Sequence, residues 1–234
     1  MAAGHGTRLR PLTNNTPKCL VKVAGKSMLQ YWIDLFEKHG VTEVLINLNH
    51  FPKQVKQYIN ENITDIKFNL VYEDTLLGSL GTLIKNSSFV KGEKEFFIFY
   101  SDNLTNVNIT DMLNFHRSFS NPFTMGLFRS NDPKSCGIAE LNSNYTIIDF
   151  VEKPENPKSD LANAGVYIMS PFLLDNIKLD PNKLYDIGYN LLPKLVDNMN
   201  GYEINEFLLD MGTHANLKLA NEFVVENPNL FGSG

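Results

Sequence analysis

The sequence has little cysteine, no long apolar run and no excess of positive charge, and each shortage excludes something. Of 234 residues, only Cys19 and Cys136 are cysteines. Two thiols without CxxC spacing make no disulfide framework, and they fit a reducing, cytoplasmic setting. No apolar stretch approaches the ~18 residues of a transmembrane helix, so an integral membrane protein is not expected. No basic segment followed by an apolar stretch is present, so neither is a retained signal peptide. Lys and Arg number 21 against 26 Asp and Glu, for a net charge of −5. A duplex-DNA binder shows a basic excess or stripe, so nucleic acid is not an expected partner. The five histidines, His5, His39, His50, His116 and His214, include no HxxxH or HExxH pair, which disfavours zinc.

What is present suffices for a folded core: 43% of residues are hydrophobic and 20% charged, which excludes a disordered chain. No linker, repeat or low-complexity tract appears, so residues 1–234 read as one domain. The closing Gly232-Ser233-Gly234 reads as an engineering scar. Apolar periodicity predicts helices at 28–39, 52–62, 79–87, 109–119, 186–198 and 213–225. It predicts strands at 44–48, 66–72, 95–100, 123–129, 137–141, 147–151, 166–169 and 203–209. Gly40 is expected to stop the first helix, and Gly25-Lys26 to turn the chain. Strand–helix alternation in the first half implies an α/β fold. Its sheet is expected to be open, mostly parallel and Rossmann-like, with helices on both faces and antiparallel additions in the second half.

Residues 2–18 read AAGHGTRLRPLTNNTPK. Gly4 and Gly6 let the backbone turn tightly and bring amide groups to a ligand. Arg8 offers a planar fork for phosphate oxygens, and Lys18 a compact charge. Together they suit a triphosphate cradle. A Rossmann GxGxxG would need glycine at position 9, which is Leu9, so a dinucleotide oxidoreductase is disfavoured. Gly25-Lys26-Ser27 mimics the end of a P-loop, but the first glycine would fall on Leu20. A phosphate loop of this kind normally leaves a strand, and a strand or a longer piece is expected upstream of it. Asp102 and Asp210 each follow an apolar strand. On residues alone they are equally a hard-oxygen Mg²⁺ site and a pair of helix N-caps.

The glycine segment resembles the signature of the sugar-1-phosphate nucleotidylyltransferases. Later motifs agree in order: Ser101-Asp102, Glu152-Lys153-Pro154, Asn163-Ala164-Gly165-Val166-Tyr167 and Asp210-Met211-Gly212-Thr213. The resemblance covers essentially the whole chain. It implies a nucleotidyltransferase that makes an NDP-sugar and pyrophosphate from an NTP and a sugar 1-phosphate, with Mg²⁺ as cofactor. It makes Asp102 and Asp210 the metal ligands, and Arg8, Lys18, Asp102 and Asp210 the catalytic set. It gives the nucleotide Ala2, Ala3, Gly4, Gly6, Thr7, Arg8, Lys18, Glu73, Gly78, Ser79, Gly81 and Asp102. It gives the sugar phosphate Gly137, Glu152, Lys153 and Asn163. The family usually has glycine where this chain has Ser101, so strain is expected there if the backbone needs positive φ. The overall look is closest to mannose- or heptose-1-phosphate guanylyltransferases, which makes GTP the expected nucleotide. A relative using UTP, dTTP or CTP, and a nucleotide-sugar sensor without turnover, are the alternatives. Expected partners are the two substrates, with no membrane; a homo-oligomer is left open.

Overall fold

A computed structural model of the chain describes residues 1–175, 177, 180 and 183–231. The closing Gly-Ser-Gly lies outside the described residues. In chain order the strands are β1 (Lys22–Val23), β2 (Lys26–Ser27), β3 (Glu43–Leu48), β4 (Lys67–Tyr72), β5 (Phe96–Phe99) and β6 (Asn103–Thr105). They continue with β7 (Phe123–Arg129), β8 (Gly137–Leu141), β9 (Ile147–Glu152), β10 (Leu161–Met169), β11 (Asn200–Glu203) and β12 (Leu208–Asp210). The helices are α1 (Met28–Lys38), α2 (Pro52–Glu61), α3 (Ser79–Lys85), α4 (Ile109–Arg117), α5 (Ile187–Asn190) and α6 (His214–Glu226). The α/β class is as expected, with parallel pairs β3–β4 and β7–β11 and antiparallel pairs around β10.

The chain forms two compact units. The first comprises Met1–Leu76, Tyr100–Asn108 and Glu206–Gly234. Its helix α1 begins at Ser27, whose side chain caps the Gln30 amide. It buries Met28, Leu29, Tyr31, Trp32, Leu35 and Phe36, as the spacing predicts. Gly40 ends it in a left-handed conformation, φ 71°. Val23, Met28, Tyr31, Leu104, Met211, Ala220, Val224 and Phe231 form one apolar cluster. The Phe207 and Phe223 rings stack against it, 3.8 Å apart. This cluster backs the short antiparallel pair β6–β12, which starts just after Asp102 and ends at Asp210.

The second unit comprises Leu77–Phe99 and Ile109–Asn205. Its six-stranded sheet centres on β10, which pairs with β5, β7 and β8. A strand with neighbours on both sides and layers above and below reads as a continuous apolar run, and Ala164–Met169 are buried throughout. The register against β7 shifts between Asn163 and Tyr167. Gly165, φ 66°, sits inside that bulge.

Two predicted elements differ. The helix expected over 186–198 is a single turn, α5, followed by a 3-10 turn at Leu192–Lys194. Pro193 lacks an N–H and biases Leu192 away from helical geometry, which breaks the run. The strand expected over 203–209 is split into β11 and β12, one in each unit. The hairpin β1–β2 was not expected as strands, and its turn lies one residue earlier than the expected Gly25-Lys26: Ala24 and Gly25 both have positive φ, 47° and 86°, while Lys26 opens β2. Strand β6 was also missed, being three residues long.

Candidate active site

The glycine loop is built by small residues and one inward anchor. Ala3 and Leu9 are buried, while Gly4, Thr7 and Arg8 are exposed. Gly6 takes φ 61°, and its carbonyl accepts from Thr13 Oγ1 at 2.7 Å and from the Leu9 amide at 2.9 Å. A side chain at Gly6 would stand 2.9 Å from the Thr13 methyl and 3.2 Å from Lys18 Cβ. The loop therefore closes on Lys18. Leu9, where a Rossmann motif needs glycine, is a core residue.

Lys18 points at Asp102. Its ammonium lies 2.5 Å from Asp102 Oδ2, with side-chain exposures of 11% and 36%. Asp102 lies three residues beyond β5, in the turn before β6. Strand β12 pairs with β6 in the register Asp210↔Asn103, and the Met211 amide donates to the Asp102 carbonyl at 2.7 Å. The two aspartates predicted from sequence thus stand on adjoining backbones of one unit. The N-cap alternative fails: α6 is capped by Thr213, whose side chain accepts from the Asn216 amide. Arg8 reaches to 4.0 Å from Asp210 Oδ2. A Cβ on Gly212 would sit 2.5 Å from an Arg8 nitrogen and 2.7 Å from Asp210 Oδ1, so glycine leaves the space these groups use.

Ser101 does not take the left-handed backbone that would strain it. Its hydroxyl and amide both donate to the Met1 carbonyl, at 2.9 and 3.1 Å. The serine ties the turn to the start of the loop.

Glu73 is buried, just past β4. It accepts from Asn47 Nδ2 at 3.2 Å, and Asn47 Oδ1 accepts from the Ala2 amide at 2.9 Å. Sequence reasoning missed Asn47, which joins Glu73 to the loop. An amide inside an apolar strand was its only signal.

The remaining predicted residues belong to the second unit. Strand β9 ends at Glu152, and Lys153 takes φ 50°, which is costly for a side chain larger than glycine. Its amide donates to the Cys136 carbonyl at 3.0 Å. The kink gives neighbouring Glu152 and Lys153 separate directions, with Lys153 exposed and Glu152 half-buried. Gly137 lies across from Glu152, and a Cβ there would be 2.5 Å from Glu152 Oε2. Burial raises the Glu152 pKa above the ordinary carboxyl range; Lys153 opposes the rise and Asp186 adds to it. Asn163 spends its side chain on the β10 bulge, accepting from the Gly165 amide at 3.0 Å and donating to Tyr167 Oη at 2.8 Å. Gly78, φ 78°, and Ser79 lead into α3, where Gly81 is buried. Asp186, absent from the sequence-based site, accepts from Ser79 Oγ at 2.8 Å.

Comparisons with known proteins identify the family and the fold. A family model described as nucleotidyl transferase matches residues 1–227. Mannose-1-phosphate guanylyltransferase catalytic subunit beta of Dictyostelium discoideum is 32% identical over 217 residues, covering 91% of this chain and 60% of that protein. Mannose-1-phosphate guanyltransferase of Gibberella zeae is 30% identical over 218 residues, covering 91% and 59%. The chain thus spans about three fifths of the length of these relatives. Among solved structures, UDP-glucose pyrophosphorylase complexed with UDP-glucose superposes with a TM-score of 0.82 at 19% identity, covering 96% of each chain. HddC from Yersinia pseudotuberculosis gives 0.79 at 20%, covering 95% of this chain and 96% of the other. Those likenesses establish the shared fold. By the match over nearly its whole length, the chain belongs to the nucleotidyl transferase family.

Proposed function

We propose that the chain works as one nucleotidyltransferase domain that makes an NDP-sugar and pyrophosphate from an NTP and a sugar 1-phosphate. The observation that carries this reading is the convergence, in the first unit, of the glycine loop, the Lys18–Asp102 pair and the Arg8–Asp210 pair. GTP with mannose 1-phosphate is the preferred substrate pair, because relatives about 30% identical carry that activity in their names.

An oxygen of the sugar phosphate attacks the α-phosphorus, and the bond from that phosphorus to the bridging oxygen of the leaving pyrophosphate breaks. The leaving oxygen takes the electron pair. A phosphate ester has a second pKa of about 6, so the nucleophile is already an oxyanion and needs no general base. The obstacle is repulsion between anions, so positioning and charge neutralisation carry the catalysis. Arg8 faces the β- and γ-phosphates, and Lys18 the α-phosphate. Gly4 and Gly6 bring backbone amides to the same oxygens. Lys153 holds the sugar phosphate, and Glu152 accepts from sugar hydroxyls beside Gly137 and Asn163.

Asp102 and Asp210 fit Mg²⁺. Two carboxylates on adjoining backbones are hard-oxygen donors that would hold the ion beside the phosphates. Among the described residues, no cluster of three or more His, Cys, Asp or Glu offers a closed protein cage. When bound, the ion neutralises phosphate charge. Among the described residues no helix is long and apolar enough to cross a membrane, and Cys19 and Cys136 are free.

The test is pyrophosphate release with each common NTP against a panel of sugar 1-phosphates and Mg²⁺. Release that needs GTP, mannose 1-phosphate and the metal is the expected result, with Asp210→Asn inactive yet folded. Nucleotide binding without release from any pair would overturn the enzyme reading in favour of a sensor.

A further inference from the structure

The segment that leads into α3 is fastened along its length to the residues that open α5. The Tyr185 amide donates to the Leu77 carbonyl at 3.1 Å. The Tyr185 carbonyl in turn accepts from the Leu80 and Gly81 amides, at 2.9 and 3.2 Å. Gly78 passes so close to the Tyr185 backbone that no Cβ fits between them. Ser79 Oγ donates to Asp186 Oδ2 and accepts from the Ile187 amide, both at 2.8 Å. The other carboxylate oxygen of Asp186 accepts from the Gly188 amide at 2.8 Å, and the Asp186 amide donates to Asn190 Oδ1 at 2.7 Å.

The opposite side of this knot touches the sugar-phosphate set. A Cβ on Gly188 would lie 2.7 Å from Glu152 Oε2 and 3.1 Å from Asp186 Oδ1. Glycine at 188 therefore lets the Glu152 carboxylate settle against the turn that Asp186 caps. One carboxylate thus fixes two things. Through Ser79 it sets the path of residues 78–81, and through the 186–188 turn it sets the floor under Glu152.

We propose that Asp186 is a positioning residue that aligns the nucleotide-binding segment around Ser79 and the sugar-binding carboxylate Glu152 with each other. The proposal rests on the substrate reading given above for those two segments. Asp186 touches neither substrate. Its two oxygens hold the hydroxyl and the amide that set where the substrate-contacting groups stand, and small misplacements of such groups are costly in rate. Ser79, by contrast, acts on one side only, because its hydroxyl reaches residues 186 and 187 and not Glu152.

The experiment is steady-state pyrophosphate release by the full chain, with GTP and mannose 1-phosphate varied separately, for wild type, Asp186→Ala, Asp186→Asn and Ser79→Ala. Thermal unfolding of each variant accompanies it. Asp186→Ala is expected to raise both KM values by about tenfold or more. Ser79→Ala is expected to raise the nucleotide KM alone. Asp186→Asn keeps an acceptor for the Gly188 amide and a polar contact for Ser79. It is expected to recover most of the loss in both KM values. Unchanged KM values in Asp186→Ala, with only a lower Tm, would show a helix cap and nothing more, and would overturn the proposal. So would an Asp186→Asn variant as impaired as the alanine. If wild type releases no pyrophosphate from any substrate pair, the substrate reading itself fails and takes this proposal with it. Active wild type with indifferent variants sinks the proposal alone.

Discussion

The Lys18–Asp102 pair makes a quantitative prediction about the protein without metal or nucleotide. The ammonium sits 2.5 Å from the carboxylate, and only 11% of the lysine side chain is exposed. At a charge separation of about 3 Å and an effective dielectric of about 20, the attraction is about 5 kcal/mol. Desolvation of the ammonium offsets most of that, and the carboxylate, 36% exposed, remains partly screened by water. The net coupling should exceed the ~0.2–1 kcal/mol of a surface pair and fall short of the ~3–5 kcal/mol lost on breaking a buried one. A value of about 1–2 kcal/mol follows. The assay is a double-mutant cycle of Lys18→Met and Asp102→Asn, with urea unfolding in EDTA. In thermal unfolding, a loss of that size in Asp102→Asn should lower Tm by about 2–8 °C for a chain of this length. Asp102→Asn should also bind metal-free triphosphate more tightly than wild type, because Lys18 loses the carboxylate that competes for it. Single-variant losses that add within about 0.3 kcal/mol would refute the reasoning, since the ammonium would then be indifferent to its partner.

Three further outcomes are expected. Burial and Asp186 raise the Glu152 pKa in the folded state, so stability associated with its proton is present below the unfolded pKa and is lost as pH rises through the folded one. Glu152→Gln should therefore raise Tm at pH 8 and leave it nearly unchanged near pH 4, as scanning calorimetry at the two pH values would show. Gly78 takes φ 78° and ψ 165°, a region essentially closed to other residues, so Gly78→Ala should cost about 1–3 kcal/mol from the backbone alone, with further loss from overlap with Tyr185, read by urea unfolding. The Cys19 thiol is buried and its pKa is pushed up to about 12, whereas Cys136 is half-buried; native protein should titrate one thiol rapidly with a disulfide reagent, and unfolded protein two.

Much of this arrangement is legible in the sequence where a local pattern has a local cause. The face of α1 follows from apolar spacing, its end from Gly40, and a turn near Gly25 from its glycine, one residue earlier than the expected Gly25-Lys26. The glycine loop is legible because small residues, an inward Leu9 and two cations must recur at fixed positions to close it. Groups that act through distant partners are not legible in this way. Asn47 is one amide in an apolar strand, and only the fold shows that it bridges Glu73 and the Ala2 amide. Asp186 reads in sequence as the start of a helix. It is that, since its side chain caps the Gly188 amide. Its second oxygen, on Ser79, joins residues 107 apart in the chain. The helix predicted after it failed for a related reason. Residues 186–198 carry a helical apolar pattern, but Pro193 ends the run, and the chain uses the apolar residues instead to bury Ile187, Leu191 and Leu192. The left-handed Lys153 escapes sequence reasoning too, because no local preference favours it there. The strain is held by neighbours: Cys136 receives its amide, and Gly137 leaves room for the carboxylate beside it. At Lys153 and along residues 186–198, tertiary packing thus outweighs local preference.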